Sequence, residues 1–330
     1  MQATSHAQYD STVKGSVPDL ERVADGVWSL PVAVPHGTVP YSLCYLVRDE
    51  IGGIHVIDPG SHNVDNWGAL AFALSRIGSS ISSVASIVLT HLHPDHMGMA
   101  ERLQTSTHAP VIMYRTEAED LATLSRDGVP DFAGSWAEWG VPEGRWPELL
   151  AATTVHYRDH SLSNPPVAVE DGDRLDIPGR DIRVIQMPGH TPGHVGLRFV
   201  NERLLVTGDH VLPNAYPDLS LRGEDYTQIL ARYLVSLEQL AELDDHEVLP
   251  GHGYRFTGLA GRCERIAQHH LRRAEAVRYA ATARPGQSVW QIAASLSWTG
   301  GWDNLHGFYL LSALRETVMH LDYLQLRSVR

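Results

Sequence analysis

Thr90-His91-Leu92-His93-Pro94-Asp95-His96-Met97-Gly98 places four metal-ligand side chains, His91, His93, Asp95 and His96, within six residues. The apolar run Ile87-Val88-Leu89-Thr90 leads straight into it and reads as a β-strand. Imidazole and carboxylate are ligands for zinc and similar divalent ions. Alternate residues leaving a strand point the same way, so His91 and His93 can share one ion. Asp95 and His96 follow Pro94, where the chain turns, and can face a neighbouring ion. An isolated HxH pair is usually a pair of surface histidines. HxHxDH directly after an apolar strand is far harder to obtain by chance.

Working outward, three later stretches repeat the design. Ile182-Arg183-Val184-Ile185 precedes Gln186-Met187-Pro188-Gly189-His190-Thr191-Pro192-Gly193-His194. Leu204-Leu205-Val206-Thr207-Gly208-Asp209-His210 is an apolar strand ending in an acid, and Glu247-Val248-Leu249-Pro250-Gly251-His252-Gly253 ends in a histidine. Each ligand type stands beside glycine, which lets the backbone turn sharply and come close to an ion.

The order HxHxDH, GH, GD, GHG resembles the metallo-β-lactamase superfamily over about residues 20–255. The resemblance implies that His91, His93 and His190 bind a first metal, that Asp95, His96 and His252 bind a second, and that Asp209 bridges them. It implies two divalent ions about 3.5 Å apart, zinc first, with iron or manganese as alternatives. Asp58, in Val56-Ile57-Asp58-Pro59-Gly60, matches the family's early aspartate, a residue that orients the ligand loop. His194 and His210 read as supporting residues, and His55, inside the strand Ile54-His55-Val56-Ile57, as a packed one.

Composition agrees with a globular enzyme. A chain of 330 residues buries a large core and is long enough for one large unit plus a smaller one. No apolar run reaches the roughly 20 residues of a membrane span. The first thirty residues lack a basic start followed by an apolar core, so a cytoplasmic location is expected. Cys44 and Cys263 lie far apart and read as reduced thiols. The net charge of −13 argues against non-specific nucleic-acid binding. From residue 256 on there are nine arginines and five acids, about +4, which leaves −17 for the rest. Lys14 is the only lysine, so an anionic substrate must be met by arginine or by the metals.

Gly26–Leu30 and Ser42–Val47 read as strands, with a proline-rich loop over Pro31–Tyr41 between them. Trp67–Ile77 and Met97–Thr105 read as helices. This alternation suits two packed mixed sheets with helices outside, an α/β fold of the αββα metallo-β-lactamase type spanning 1–255. An insertion around 125–170 holds Trp136, Trp139 and Trp146, which either pack among themselves or wall an apolar substrate pocket. His156 and His160, four apart, sit among prolines and polar residues and read as loop rather than as a third metal site.

Residues 256–330 start a new pattern. Cys263, Ile266, Ala267, His270, Ala274, Val277 and Ala281 share one face of a helix over Gly258–Ala283, and Arg262, Arg265, His269, Arg272 and Arg273 share another. Ser288 caps a second helix, Val289–Leu296, and Leu305–Leu321 reads as a third. This C-terminal helical part resembles the small winged-helix-like tail of the glyoxalase II-like, β-lactamase-like protein 2 branch. It either braces the catalytic part or brings arginines to the mouth of the site.

Two adjacent cations imply hydrolysis, with a bridging hydroxide attacking an electrophilic carbonyl or phosphorus. Asp95 is placed to handle the proton, and Asn214 and Tyr216 follow Asp209 closely enough to meet substrate. The branch points to a small-molecule acyl substrate, a thioester or ester, with a lactone close behind. An endoribonuclease of the β-lactamase-like protein 2 type and a mono-iron persulfide dioxygenase are the alternatives. β-Lactam hydrolysis is disfavoured by the missing lysine and export signal. No membrane or nucleic-acid partner is expected, and a homodimer is left open.

Overall fold

The computed structural model describes residues 1–35, 39–127, 133–156, 161–219 and 228–328. One sheet has the order β2(Glu21–Ala24), β3(Val27–Ala33), β4(Tyr41–Arg48), β5(Ile54–Ile57), β6(Val84–Val88), β7(Val111–Tyr114), β8(Val167–Val169). The other has the order β1(Gln2–Ala3), β13(Phe256–Thr257), β12(Glu247–Pro250), β11(Leu204–Gly208), β10(Val195–Phe199), β9(Ile182–Gln186). The helices are α1(His6–Lys14), α2(Val64–Arg76), α3(Pro94–Met97), α4(Ala100–Thr107), α5(Arg115–Asp127), α6(Ala133–Glu138) and α7(Trp146–His156), then α8(Ile229–Ala241), α9(Leu259–Ala283), α10(Val289–Ser295) and α11(Gly307–Ser328).

The central strands are apolar on both faces because each sheet is covered twice. Neighbouring residues on a strand point to opposite faces. Val56 and Ile87 pack outward with Leu70 of α2 and Leu103 of α4, while the adjacent Ile57 and Val88 pack inward. From the second sheet Val206 and Leu249 meet them in the inter-sheet core. Leu205 and Val248 face outward onto Leu230 and Leu237 of α8 and Cys263 and Ile266 of α9. Each such buried aliphatic side chain contributes about 1.5–3 kcal/mol. These layers make the expected αββα sandwich.

Strand direction decides where chemistry collects. β5, β6, β7 and β8 run parallel, as do β11 and β12, and β9 points the same way as β11 because both are antiparallel to β10. Ligands of open α/β sheets gather beyond the carboxyl ends of parallel strands. Asp58, His91, His190, Asp209 and His252 all leave strands at such ends.

Several expectations change in detail. Pro31 lies inside β3 rather than in the loop, opposite Leu43. It is tolerated because β2 ends opposite Ser29 and leaves that side of β3 without a neighbour. Residues 36–38 of the loop lie outside the described residues. The helix expected from Met97 starts at Pro94, whose fixed φ suits a first helical turn. It breaks at Gly98, and α4 resumes at Ala100.

The tail is helical, as expected, and among the described residues no strand follows Thr257. Ser288 forms a full capping box with Gln291. The last helix runs on to Ser328. Trp136, Val141 and Leu149 of the insertion share a core with Leu310, Leu311 and Leu314 of α11. Trp139 and Trp146 pack against the same cluster. The insertion's tryptophans therefore join it to the tail. The His156 side chain and all of His160 lie outside the described residues.

Candidate metal centre

The seven residues marked in the sequence come together at one end of the sandwich. His91, His93 and His190 form one donor cluster, and Asp95, His96 and His252 another. His93 Nδ1 lies 3.1 Å from His91 Nε2 and 2.8 Å from His190 Nε2. Asp95 Oδ2 is 3.1 Å from His252 Nε2 and 3.8 Å from His96 Nε2. Asp209 stands between the two: its Oδ2 is 3.6 Å from His190 Nε2 and 3.3 Å from His252 Nε2, and its Oδ1 is 3.4 Å from His96 Nε2.

Outer hydrogen bonds fix which ring nitrogen faces inward. His190 Nδ1–H donates to Asp218 O at 2.6 Å, and His252 Nδ1–H donates to Tyr41 O at 2.7 Å. A carbonyl only accepts, so each ring, when neutral, keeps its lone pair on Nε2. His96 Nδ1 donates to Asp58 Oδ2 at 3.0 Å. Thr90 Oγ1 donates to Asp58 Oδ2 at 2.7 Å and so accepts from His91 Nδ1 at 2.9 Å. Four histidines thus aim Nε2 atoms into one space, and the buried Asp209 Oδ1 has no hydrogen bond there. With the rings neutral their converging lone pairs repel unless a cation sits among them; metal-free, protons on His96 and His252 take that place. This donor set fits a pair of divalent ions.

Asp58 organises the arrangement, as its position suggested. It also accepts from Thr90 N at 2.8 Å, and its own N–H donates to Val88 O at 3.0 Å. Its φ of +50° is strained for a residue other than glycine, a cost met where a functional constraint holds the backbone. His194 and His210 support the site. His194 Nε2 accepts from Asp209 N–H at 3.2 Å, and His210 Nε2 meets Ser236 Oγ at 2.7 Å. His55 is buried between Ser86 and Asp49.

The two clusters differ electrically when metal-free. Burial, with His96 and His93 beside it, pushes His91 well below the ordinary imidazole value. Burial also opposes charge on His252, but Asp209 and Asp95 override it and hold it up to about 10. His96 is raised well above its ordinary value against burial by the same two acids. Burial raises Asp95, and His96 and His252 outweigh it, bringing Asp95 down to about 2. His91 is thus held neutral, whereas His96 and His252 form ion pairs with Asp95 and Asp209.

Sequence reasoning missed Glu117, Asp218 and Tyr41. Glu117 carried a readable signal, since it follows the strand Val111–Tyr114 as the ligands follow theirs. The carbonyls of Asp218 and Tyr41 carried none, because any residue supplies one. Arg262, placed on the basic face of α9, is buried and donates to Leu212 O at 2.6 Å and to Ala215 O. The Arg273 guanidinium binds Glu316 at 2.7 Å and lies 3.8 Å over the Trp298 ring. Arg265 and Arg272 are exposed. Tyr216 stacks on His269 with ring centroids 3.7 Å apart.

Known proteins share this plan. The chain is 25% identical over 294 residues, 86% of its own length and 87% of the relative's, to the Probable metallo-hydrolase YqjP of Bacillus subtilis (strain 168). It is 27% identical over 191 residues, 57% of this chain and 62% of the relative, to the Acyl-coenzyme A thioesterase MBLAC2 of Homo sapiens. A solved β-lactamase domain protein from Burkholderia ambifaria superposes with a TM-score of 0.77 at 27% identity, covering 94% of this chain and 89% of that one. The Metallo-beta-lactamase superfamily profile matches residues 37–252, the stretch that carries every one of these donors, and the chain belongs to that superfamily.

Proposed function

We propose that the protein is a dinuclear metal-dependent hydrolase of acyl thioesters, with oxygen esters as poorer substrates. The observation that carries this reading is Asp209, whose carboxylate lies within 3.6 Å of donors from both clusters. The thioester assignment is supported by the relative named an acyl-coenzyme A thioesterase. Zinc is the ion we assign first, since imidazole and carboxylate donors suit it.

His91, His93 and His190 would hold one ion, Asp95, His96 and His252 the other, and Asp209 both. Bound there, two divalent cations supply a water acidic enough to attack at neutral pH and a Lewis acid for the acyl oxygen. The protein's own groups do the rest. Asp58 and Thr90 hold the rings in orientation. Asp95, with a side chain 24% exposed, faces the open side of the centre. It takes the proton of the attacking water as the C–O bond forms. The C–S bond then breaks, and the proton passes to the departing sulfur.

The test is a panel of acyl-coenzyme A thioesters, matched oxygen esters and lactones, assayed with zinc-loaded protein. Thioester turnover that disappears with chelator and returns with zinc is the expected result. A protein holding two ions that hydrolyses no member of the panel overturns the reading.

A further inference from the structure

Glu117 is fully buried in the first turn of α5, where the chain leaves β7. β7 pairs with β6 in parallel, so α5 starts beside the loop that carries His91 and His93. There the Glu117 carboxylate accepts two backbone hydrogen bonds. Leu92 N–H donates to Oε2 at 2.9 Å, and Gly193 N–H donates to Oε1 at 2.9 Å. Leu92 stands between His91 and His93, and Gly193 stands three residues past His190. One side chain thus ties a loop of the first sheet to a loop of the second.

The contact has no slack. A Cβ added to Gly193 would lie 2.8 Å from Glu117 N, 2.9 Å from Glu117 Cγ and 3.0 Å from Thr116 Cβ. The loop that carries Gly193 is closed on itself by Met187 N–H to His194 O at 2.8 Å and Gly189 N–H to Thr191 O at 3.1 Å. Holding Gly193 therefore holds His190. Burying a carboxylate is costly unless hydrogen bonds replace its water. An apolar residue here would leave two buried N–H groups unsatisfied, one in each loop.

We propose that Glu117 is a positioning residue that sets the spacing between the His91–His93 pair and His190, and so sets the metal affinity of that cluster without being a ligand. The proposal rests on the two-metal reading above. Asp58 acts within the first sheet through Thr90 and His96, whereas Glu117 acts across the two sheets.

Zinc alone is the probe, titrated against a competing chelator in the wild type, Glu117→Gln and Gly193→Ala. The release step missing from His190→Ala identifies the three-histidine cluster. The amide of Glu117→Gln keeps the size but offers one acceptor oxygen, so one N–H must face an NH₂ group. Affinity of the three-histidine cluster should fall about 10–100-fold, the range for groups that orient ligands, with the other cluster unchanged. Gly193→Ala keeps the acid but pushes α5 away, and should weaken the same step. Melting of the metal-free proteins separates this from global destabilisation. Equal weakening of both steps, or wild-type affinity at the three-histidine step in either folded variant, overturns the proposal. A wild type with a single zinc step fails the two-metal reading instead, and retention of that step in Glu117→Gln then overturns the clamp.

Discussion

Gly251→Ala puts a methyl group where the centre is tightest. Gly251 joins β12 to His252, and its backbone is pinned from both sheets. Its N–H donates to Gly208 O at 2.7 Å, and its carbonyl accepts from Leu43 N–H at 2.7 Å. The added Cβ would overlap Asp209 Oδ1 and lie 2.7 Å from His96 Cε1, whereas real Cβ atoms essentially never come closer than 3.0 Å. The His96 ring must therefore retreat by at least about 0.3 Å and the Asp209 carboxylate by more than about 0.5 Å. Ligand distances at a metal tolerate only about 0.2 Å. Both displacements exceed that, and Asp209 leaves its place between the clusters. Overpacking of this kind costs about 1–3 kcal/mol, so the variant should fold with a lower melting temperature. Equilibrium dialysis against zinc with elemental analysis should show the ion of the Asp95–His96–His252 cluster lost. Turnover should fall by at least about 10²-fold, as for misplacements near 1 Å at other reacting centres. Two zinc ions at wild-type affinity with wild-type turnover would refute the placement of Asp209 and His96.

Asp95→Asn keeps the size but neither binds a cation well nor accepts a proton. Turnover should fall at least about 10²-fold while zinc at the three-histidine cluster persists, and near-normal rates in a fully loaded variant would remove Asp95 from proton transfer. Trp136, 3% exposed in the core shared with α11, should cost about 3–5 kcal/mol when replaced by alanine, seen as a lower melting temperature. Relative rates across acyl chain lengths should not move, and a changed chain-length preference would instead make this helix a pocket wall. The chelated protein should lose stability toward alkaline pH. His252, raised to about 10, contributes fully below the ordinary imidazole value of 6.5 and nothing once pH passes about 10. Asp95, lowered to about 2, contributes above 3.8 and loses this as pH falls through about 2. Melting temperatures of chelated protein that stay level between pH 7 and 10.5 would contradict the ion-paired cluster.

The metal centre was legible in the sequence because its donors are coded locally. Each follows an apolar strand, and a strand's period places alternate side chains together without help from elsewhere. The same local logic located α2, α9 and α10, whose caps and 3.6-residue periods lie within a few turns of one another. It left the role of Arg262 open because helical periodicity reports a face, not what covers that face; the carbonyls of Leu212 and Ala215, which hold its guanidinium, lie 50 and 47 residues away. It left the role of the tryptophans undecided for the same reason, since their neighbours belong to α11.

The amino-acid order by itself determined which side chains converge at the candidate metal centre and the sequence in which they arrive. Only the tertiary structure decided how far apart they stand. Glu117 reaches Leu92 and Gly193 across gaps of 25 and 76 residues. His252 takes its orientation from Tyr41, 211 residues earlier. One partner in each such bond is a backbone group that nearly every residue possesses, so the sequence does not mark which one is used. They exist because parallel strands deliver their carboxyl ends to one edge of the sandwich, where loops from two sheets must share a few buried acceptors.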